Sequence, residues 1–482
     1  MKTIRKFLNF PCIATFLALS YLLIYEIADR ASNENPAMQN RVVISYWEKW
    51  SGFELDAMKT LVDEFNSSQN KIYVKLLSVG NIDQKLMLAT AGGNPPDIAG
   101  LWSHSINVFA GKGALTPLDG LMKRHNINKT QYTPVFWELC KMYGFSWALP
   151  STPATVALHW NRKIFREAGL DPTKPPQSLA ELDAIAEKLT LVEVERNGKK
   201  VRLSYPEMSD SEKSEHQFTI IRLGYVPSVP GWFNEMWGFW FGAELWNGKD
   251  KITINSPENI AALKWYVSYV NKYGLENLQA FGSSFGTFAS PQDPFLSERV
   301  AMVLQGVWLY NFIQMYAPQL EWAAAPFPSV DPVKLPNVTI AECDVLVIPR
   351  GAQHVKEAFE FILFIQQRKN MEKLALGQRK FSPLATTSPD FVKKHPNPYI
   401  EVFIDLSRSP NARQVPRIPV WNEYKTECLV AYDRAFSGIL TPRKALDKVG
   451  VRAQWQLNRV MKRWNKIKND RFKEWRKIDD EN

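Results

Sequence analysis

Apolar positions along the chain change period several times, and each change marks an element. Residues 41–47, Arg-Val-Val-Ile-Ser-Tyr-Trp, set apolar side chains close together as a strand does. In residues 54–66 the apolar positions Leu55, Met58, Leu61, Val62 and Phe65 recur at the spacing of one helix face. Residues 71–78 alternate as a second strand, residues 82–90 are helical, and Gly92-Gly-Asn-Pro-Pro96 stops that helix. Asp97-Ile-Ala-Gly-Leu101 is a third short strand. Strands alternating with helices predict βαβ units and a mostly parallel sheet, hence an α/β fold.

Further along, Ser178 with Glu181 three residues later forms a capping box for a helix over 178–189. Residues 195–201 read as a hairpin about Asn197-Gly198, and residues 209–216 as a polar loop. Helices are predicted over 256–273, ended by Gly274, and over 357–376, ended by Gly377. Phe233, Trp237, Trp240 and Phe241 recur at helical spacing, the pattern of a buried face, whereas Trp232 lies off that face. No internal repeat is evident.

With 482 residues the chain is expected to hold two or three core-bearing units. Trp 17, Phe 27 and Tyr 16 supply more aromatic surface than packing alone asks for, leaving some to line a pocket. The net charge of +10 gathers at the C-terminus, from Arg459 to Lys477. Because Asp470, Glu474, Asp479, Asp480 and Glu481 dilute it, the expectation is a solvated helix face and no nucleic-acid partner. Lys2, Arg5 and Lys6 followed by the apolar run 13–25 read as an export segment. No small-x-small cleavage site follows, so an uncleaved membrane anchor is favoured, with the body exported and residues 29–39 as linker. Cys140, Cys343 and Cys428 have neither metal-site nor redox-motif spacing, and whether two of them pair is left open. There is no P-loop, HExxH, GxSxG or strand-borne GxGxxG, and no motif places two opposed carboxylates, so no enzyme activity and no cofactor are expected.

Trp47, Glu48 and Trp50 follow the first strand, and Trp102-Ser-His-Ser105 the third. Ligand sites of α/β sheets lie at such carboxyl ends. His104 reads as a loop histidine. Arg379 offers a forked pair of donors in a late loop.

Several motifs, in order, resemble those of one family. They are Ala-Gly-Gly-Asn-Pro-Pro-Asp97, Gly113-Ala-Leu-Thr-Pro-Leu118, Tyr143-Gly-Phe-Ser-Trp-Ala-Leu-Pro150, and the segment 157–170 ending in Ala-Gly-Leu. Ser297-Glu-Arg-Val-Ala-Met302 with Gly306-Val-Trp308, Ala325-Pro-Phe-Pro328, and Gly377 to Pro383 continue the series. The chain is thereby similar, from about 41 to 460, to the maltose-binding-like, carbohydrate-binding solute-binding proteins of ABC importers. The resemblance implies a two-lobed fold with a hinge between the lobes. Lobe one would be residues 41–151 plus 324–375, lobe two 152–323 plus 376–460. Residues 1–40 would be signal or anchor and linker, and 461–482 a basic extension. The ligand would lie in the interlobe cleft.

For the site, the resemblance implies Glu48 on the hydroxyl rim and Trp232 and Trp308 as stacking aromatics. It also implies aromatics at Trp421 and Tyr424. The charged residue that relatives often carry near Ser105 is missing, which points away from a standard maltodextrin. The implied function is binding a mono- or oligosaccharide outside the cytoplasm and delivering it, as a monomer, to importer permeases. Alternatives are a membrane-anchored sugar sensor and a binder of sugar phosphate or glycerol phosphate.

Overall fold

The computed structural model describes residues 38–481. The expected export or anchor segment lies outside them, apart from the last residues of its linker. Among the described residues no helix is long and apolar enough to cross a membrane.

The first unit follows the period changes closely. Strand β1 (Val42–Glu48) buries Ile44, Tyr46 and Glu48 on one face, and α1 (Gly52–Ser68) buries Met58, Leu61, Val62 and Phe65. Then come β2 (Ile72–Ser78), α2 (Ile82–Ala91) and β3 (Ile98–Trp102). Strand β1 lies between β2 and β3, parallel to both.

Beyond β3 the expected parallel arrangement gives way to a mixed one. Strand β4 (Leu149–Asn161) is thirteen residues long and almost wholly buried. Its second half pairs antiparallel with β5 (Met302–Gly306) and β6 (Trp322–Ala325), its first half with β7 (Thr339–Val347). Strand β7 pairs antiparallel with β3 in turn, and the two-residue strand Ala412–Arg413 pairs parallel with β7, so that among the described residues eight strands form one sheet.

The hairpin about Asn197-Gly198 is present, with φ of 53° and 68° at those residues, as a tight turn of this type requires. Ser178 caps its helix as expected, but Glu181 reaches back to the Gln177 amide. Trp237 and Trp240 are buried in core, on a 3-10 helix over Asn234–Phe241. The polar stretch 209–216 is not all loop: it holds a one-turn helix, Asp210–Ser214, capped by Ser209. The single helix expected over 357–376 is two, Val355–Gln366 and Arg368–Gln378. Gln367 is extended between them, and the Phe364 carbonyl at the break accepts from the Gln367 amide and the Asn370 side chain. Gly377 does not stop the second helix. It lets the helix approach α1, where an added Cβ would lie 2.9 Å from that of Ala57.

Residues 379–385 return to the first unit: the Thr133 amide donates to the Pro383 carbonyl and Lys380 pairs with Glu54. The C-terminal stretch is one helix of 40 residues, Pro442–Glu481. Ala445, Leu446, Val449, Ala453 and Leu457 join the core that contains the 156–304 segments. Trp464 and Trp475 join another core, stacking at 4.2 Å on Tyr143 and edge-on at 4.7 Å to Trp147. Cys140, Cys343 and Cys428 are buried and free.

Candidate functional site

A cavity of about 260 Å3 opens between the carboxyl ends of β1 and β3 and the segments around Trp232 and Trp308. Trp50 and Trp102 meet edge to face at 5.9 Å on one side. Trp232, 38% exposed, packs edge-on against Phe288 at 4.4 Å and faces Trp308 at 6.3 Å on the other. Gly306 sets the position of Trp308: a Cβ there would lie 2.2–2.5 Å from its ring. Phe53, Phe312, Thr152 and Ala154 complete the walls. Behind Trp232 and Phe288 a second recess, about 440 Å3, runs toward Phe281 and Phe285.

The floor is an ion network. Strand β7 has an irregularity between Cys343 and Val345 against β4, which leaves Asp344 beside the cavity. Its Oδ2 accepts from Thr152 Oγ1 at 3.0 Å, Trp50 Nε1 at 3.2 Å and Lys380 Nζ at 3.4 Å. Its Oδ1 lies 3.3 Å from Lys49 Nζ. Burial opposes ionisation of Asp344, but the Lys49 and Lys380 charges outweigh it and hold the carboxyl below its ordinary pKa. Burial likewise opposes the charge on Lys380, and Glu54 and Asp344 outweigh it, so the ammonium is held charged. Lys380 reaches Glu54 at 2.7 Å and lies 4.6 Å over the Trp50 ring.

Asp344 is saturated by four donors, so it orders the floor more than it faces a ligand. Glu54 and Glu342 retain acceptor capacity. Glu342 pairs with His104 at 3.4 Å, and His104 stacks at 5.9 Å on Trp102. Burial works against protonating His104, but the hydrogen bond and charge of Glu342 prevail and its pKa is raised. For Glu342 burial is likewise outweighed, by His104 and then Lys425, and its pKa is lowered.

Of the residues singled out in the sequence, Trp50, Trp102, Trp232 and Trp308 line the cavity together. The others lie elsewhere. Trp47 packs on core beside the site. Glu48 is buried and accepts from Tyr46 Oη at 2.5 Å and from the Lys49 amide and ammonium at 2.8 and 3.2 Å. It fits there because Gly100 has no Cβ, which would sit 2.1 Å from the carboxylate. Ser105 is buried and donates to Asp83. Arg379 takes a left-handed conformation, φ 54°, which turns its guanidinium over Tyr310, and its neighbour Lys380 enters the cavity. Trp421 and Tyr424 are core, with Tyr424 Oη donating to the Leu245 carbonyl at 2.8 Å. His104, read as a loop histidine, sits on a short 3-10 turn, Ser103–Ser105, and pairs with the cavity-lining Glu342 without lining the cavity itself. The missed residues had signals: Phe53 and Glu54 come only three and four residues after Trp50. Glu342 and Asp344 are carboxylates inside an otherwise apolar strand, which burial tolerates only when they are paired.

The profile of a family described as bacterial extracellular solute-binding protein matches residues 60–399. The solved structure of CpMnBP1 with mannobiose bound superposes with a TM-score of 0.71 at 25% identity, covering 85% of this chain and 99% of that one. The maltotriose-binding protein of Pyrococcus abyssi is 22% identical over 291 residues, 60% of this chain and 54% of that relative, so the match spans about half its length. The sn-glycerol-3-phosphate-binding periplasmic protein of Brucella abortus is 26% identical over 153 residues, 30% of this chain and 35% of that protein.

Proposed function

Because the chain belongs to the bacterial extracellular solute-binding proteins, whose profile spans residues 60–399, we propose that its cleft captures a small neutral carbohydrate outside the cytoplasm and hands it to an ABC importer. The observation that carries the reading is the pairing of wall and floor. Four tryptophans offer flat apolar faces to the C–H faces of a sugar ring, and Glu54, Glu342 and Lys380 offer acceptors and donors to its hydroxyls. The cavity is somewhat smaller than the roughly 300–1,000 Å3 usual for ligand sites, which suits a mono- or disaccharide. Binding without chemistry is the role we assign, because the matching family and the superposed structure are binding proteins.

The resemblance to a glycerol-phosphate binder favours a second reading, which the charges oppose. Lys49 and Lys380 are already committed to Glu48, Glu54 and Asp344. An added phosphate would meet more carboxylates than free cations and lose much of its hydration.

The lobes are best divided on this reading with 379–408 in the first lobe, since Lys380 and Pro383 bond to first-lobe residues. The hinge then lies in β4 and β7. Monomeric action and attachment through the N-terminal segment remain part of the proposal.

A thermal-shift panel tests it. Mannobiose, maltotriose, mannose and glycerol 3-phosphate are offered at rising concentration. A saccharide at a hundred times its Kd adds roughly 2.7 kcal/mol to stability. Stabilisation by glycerol 3-phosphate alone would transfer the site to the second reading, and silence across a broad saccharide panel would remove the first.

A further inference from the structure

The helix Pro442–Glu481 carries a charge pattern that the cleft does not use. It holds thirteen Lys and Arg against six Asp and Glu, a net of +7 where the whole chain has +10. Its buried positions, Ala453, Leu457, Trp464 and Trp475, lie along one side. Trp455, Arg459, Arg463, Lys466, Lys473 and Lys477 lie along the opposite side, at steps of three, four and seven residues, and all are exposed. Asp470 is the one acid in that line. At 1.5 Å per residue the ridge from 455 to 477 is about 33 Å long.

Most of these cations are uncommitted. The ion pairs of the helix among the described residues are Arg452 with Glu427, Arg471 with Glu474, Glu474 with Arg350, and Lys477 with Glu481. Arg459, Arg463, Lys466 and Lys473 enter none. Arg459 lies instead over the exposed ring of Trp455, and Val451 is exposed one turn earlier.

From this geometry we propose that the basic ridge docks on the surface of an anionic phospholipid bilayer. A straight ridge with long flexible cations meets a flat negative surface along its whole length, with no need for shape complementarity. The apolar side is already spent on the protein core, so the helix lies on the surface and does not sink in. Trp455 and Val451 at one end suit the headgroup boundary, where an indole keeps both its ring and its N–H satisfied. Because Trp464 and Trp475 fix the helix to the core, docking would orient the whole body on the membrane.

Lysine footprinting of the full-length chain tests the proposal. The chain is mixed with vesicles of phosphatidylglycerol and phosphatidylcholine, or of phosphatidylcholine alone. Each lysine's acetylation rate is read by mass spectrometry. Lys466, Lys473 and Lys477 are expected to react about five-fold more slowly on the anionic vesicles, and the difference to vanish near 0.5 M salt. The exposed Lys174 and Lys334 should react alike throughout. This comparison holds whether or not residues 1–37 attach the chain to both vesicle types. In the triple variant Arg463→Glu, Lys466→Glu, Lys473→Glu, changed only at exposed positions, the remaining Lys477 should lose its protection. Equal rates on the two vesicle types would overturn the proposal. So would protection by duplex DNA with none on vesicles, which would assign the ridge to nucleic acid.

Discussion

Replacing Trp232 by alanine separates ligand binding from folding more cleanly than any other change in the cleft. The ring is 38% exposed, so at most that fraction is open for a sugar to cover. A tryptophan side chain offers up to about 250 Å2, so the coverable area is roughly 95 Å2. At about 25 cal/mol per Å2, half to full coverage amounts to about 1.2–2.4 kcal/mol, or roughly an 8- to 60-fold rise in Kd. Loss of fold stability should be modest, because the Trp232 ring is only partly buried and Phe288 keeps its edge-on contact with Phe312. Trp421→Ala is the control. That ring is buried in core away from the cavity, so its loss should cost about 3–5 kcal/mol of stability and leave affinity per folded molecule unchanged. Calorimetric titration with mannobiose or the best saccharide of the panel, and urea unfolding of the same samples, give both numbers. A Trp232→Ala affinity within twofold of the parent would refute the stacking argument, whatever the stability.

Three further outcomes are expected. Asp344→Asn leaves Lys49 and Lys380 short of a buried counter-charge and should cost about 3–5 kcal/mol, measured as a lower urea midpoint at neutral pH. His159 is buried against Trp322, and burial lowers its pKa from 6.5 to about 3. The folded state therefore binds its proton less readily than the unfolded one. Stability is full above pH 6.5 and falls as pH drops toward 3, by up to about 1.4 kcal/mol per unit. His159→Leu should flatten that part of the stability–pH curve, and an unchanged slope would contradict the assignment. Trp475→Ala removes a fully buried ring from the cluster of Tyr143, Phe145, Trp147, Trp464 and Phe472, and should cost about 3–5 kcal/mol of helix docking. Trypsin should then cut first at Lys466 or Lys468 while the rest of the chain stays intact.

The first βαβ unit, the Asn197-Gly198 hairpin and the cores around Trp237 and Trp240 were legible along the chain, because period and turn chemistry are local. That Trp50 and Trp102 line the cavity was legible for a related reason: both lie at or just past the carboxyl end of a strand, which fixes where those residues emerge. The order of motifs from Gly92 to Pro383 likewise carried the family. What the sequence left undecided depends on one residue's rotation or on partners far away in the chain. Arg379 and Lys380 are adjacent cations, and only the left-handed turn at Arg379 sends the second into the cleft. Glu48 follows a site-bearing strand, yet the space left by Gly100 and the hydroxyl of Tyr46 draw it inward. Trp421 and Tyr424 look like pocket aromatics until the helix over Trp421–Phe436 packs them against Leu245 and its neighbours. Asp344 becomes the centre of the floor because Trp50, Thr152 and Lys380 converge on one of its oxygens and Lys49 on the other. Local periodicity specifies which face a side chain takes. The choice between core and cleft on that face belongs to the neighbours that tertiary packing brings, since burial and pairing energies exist only once those neighbours are in place.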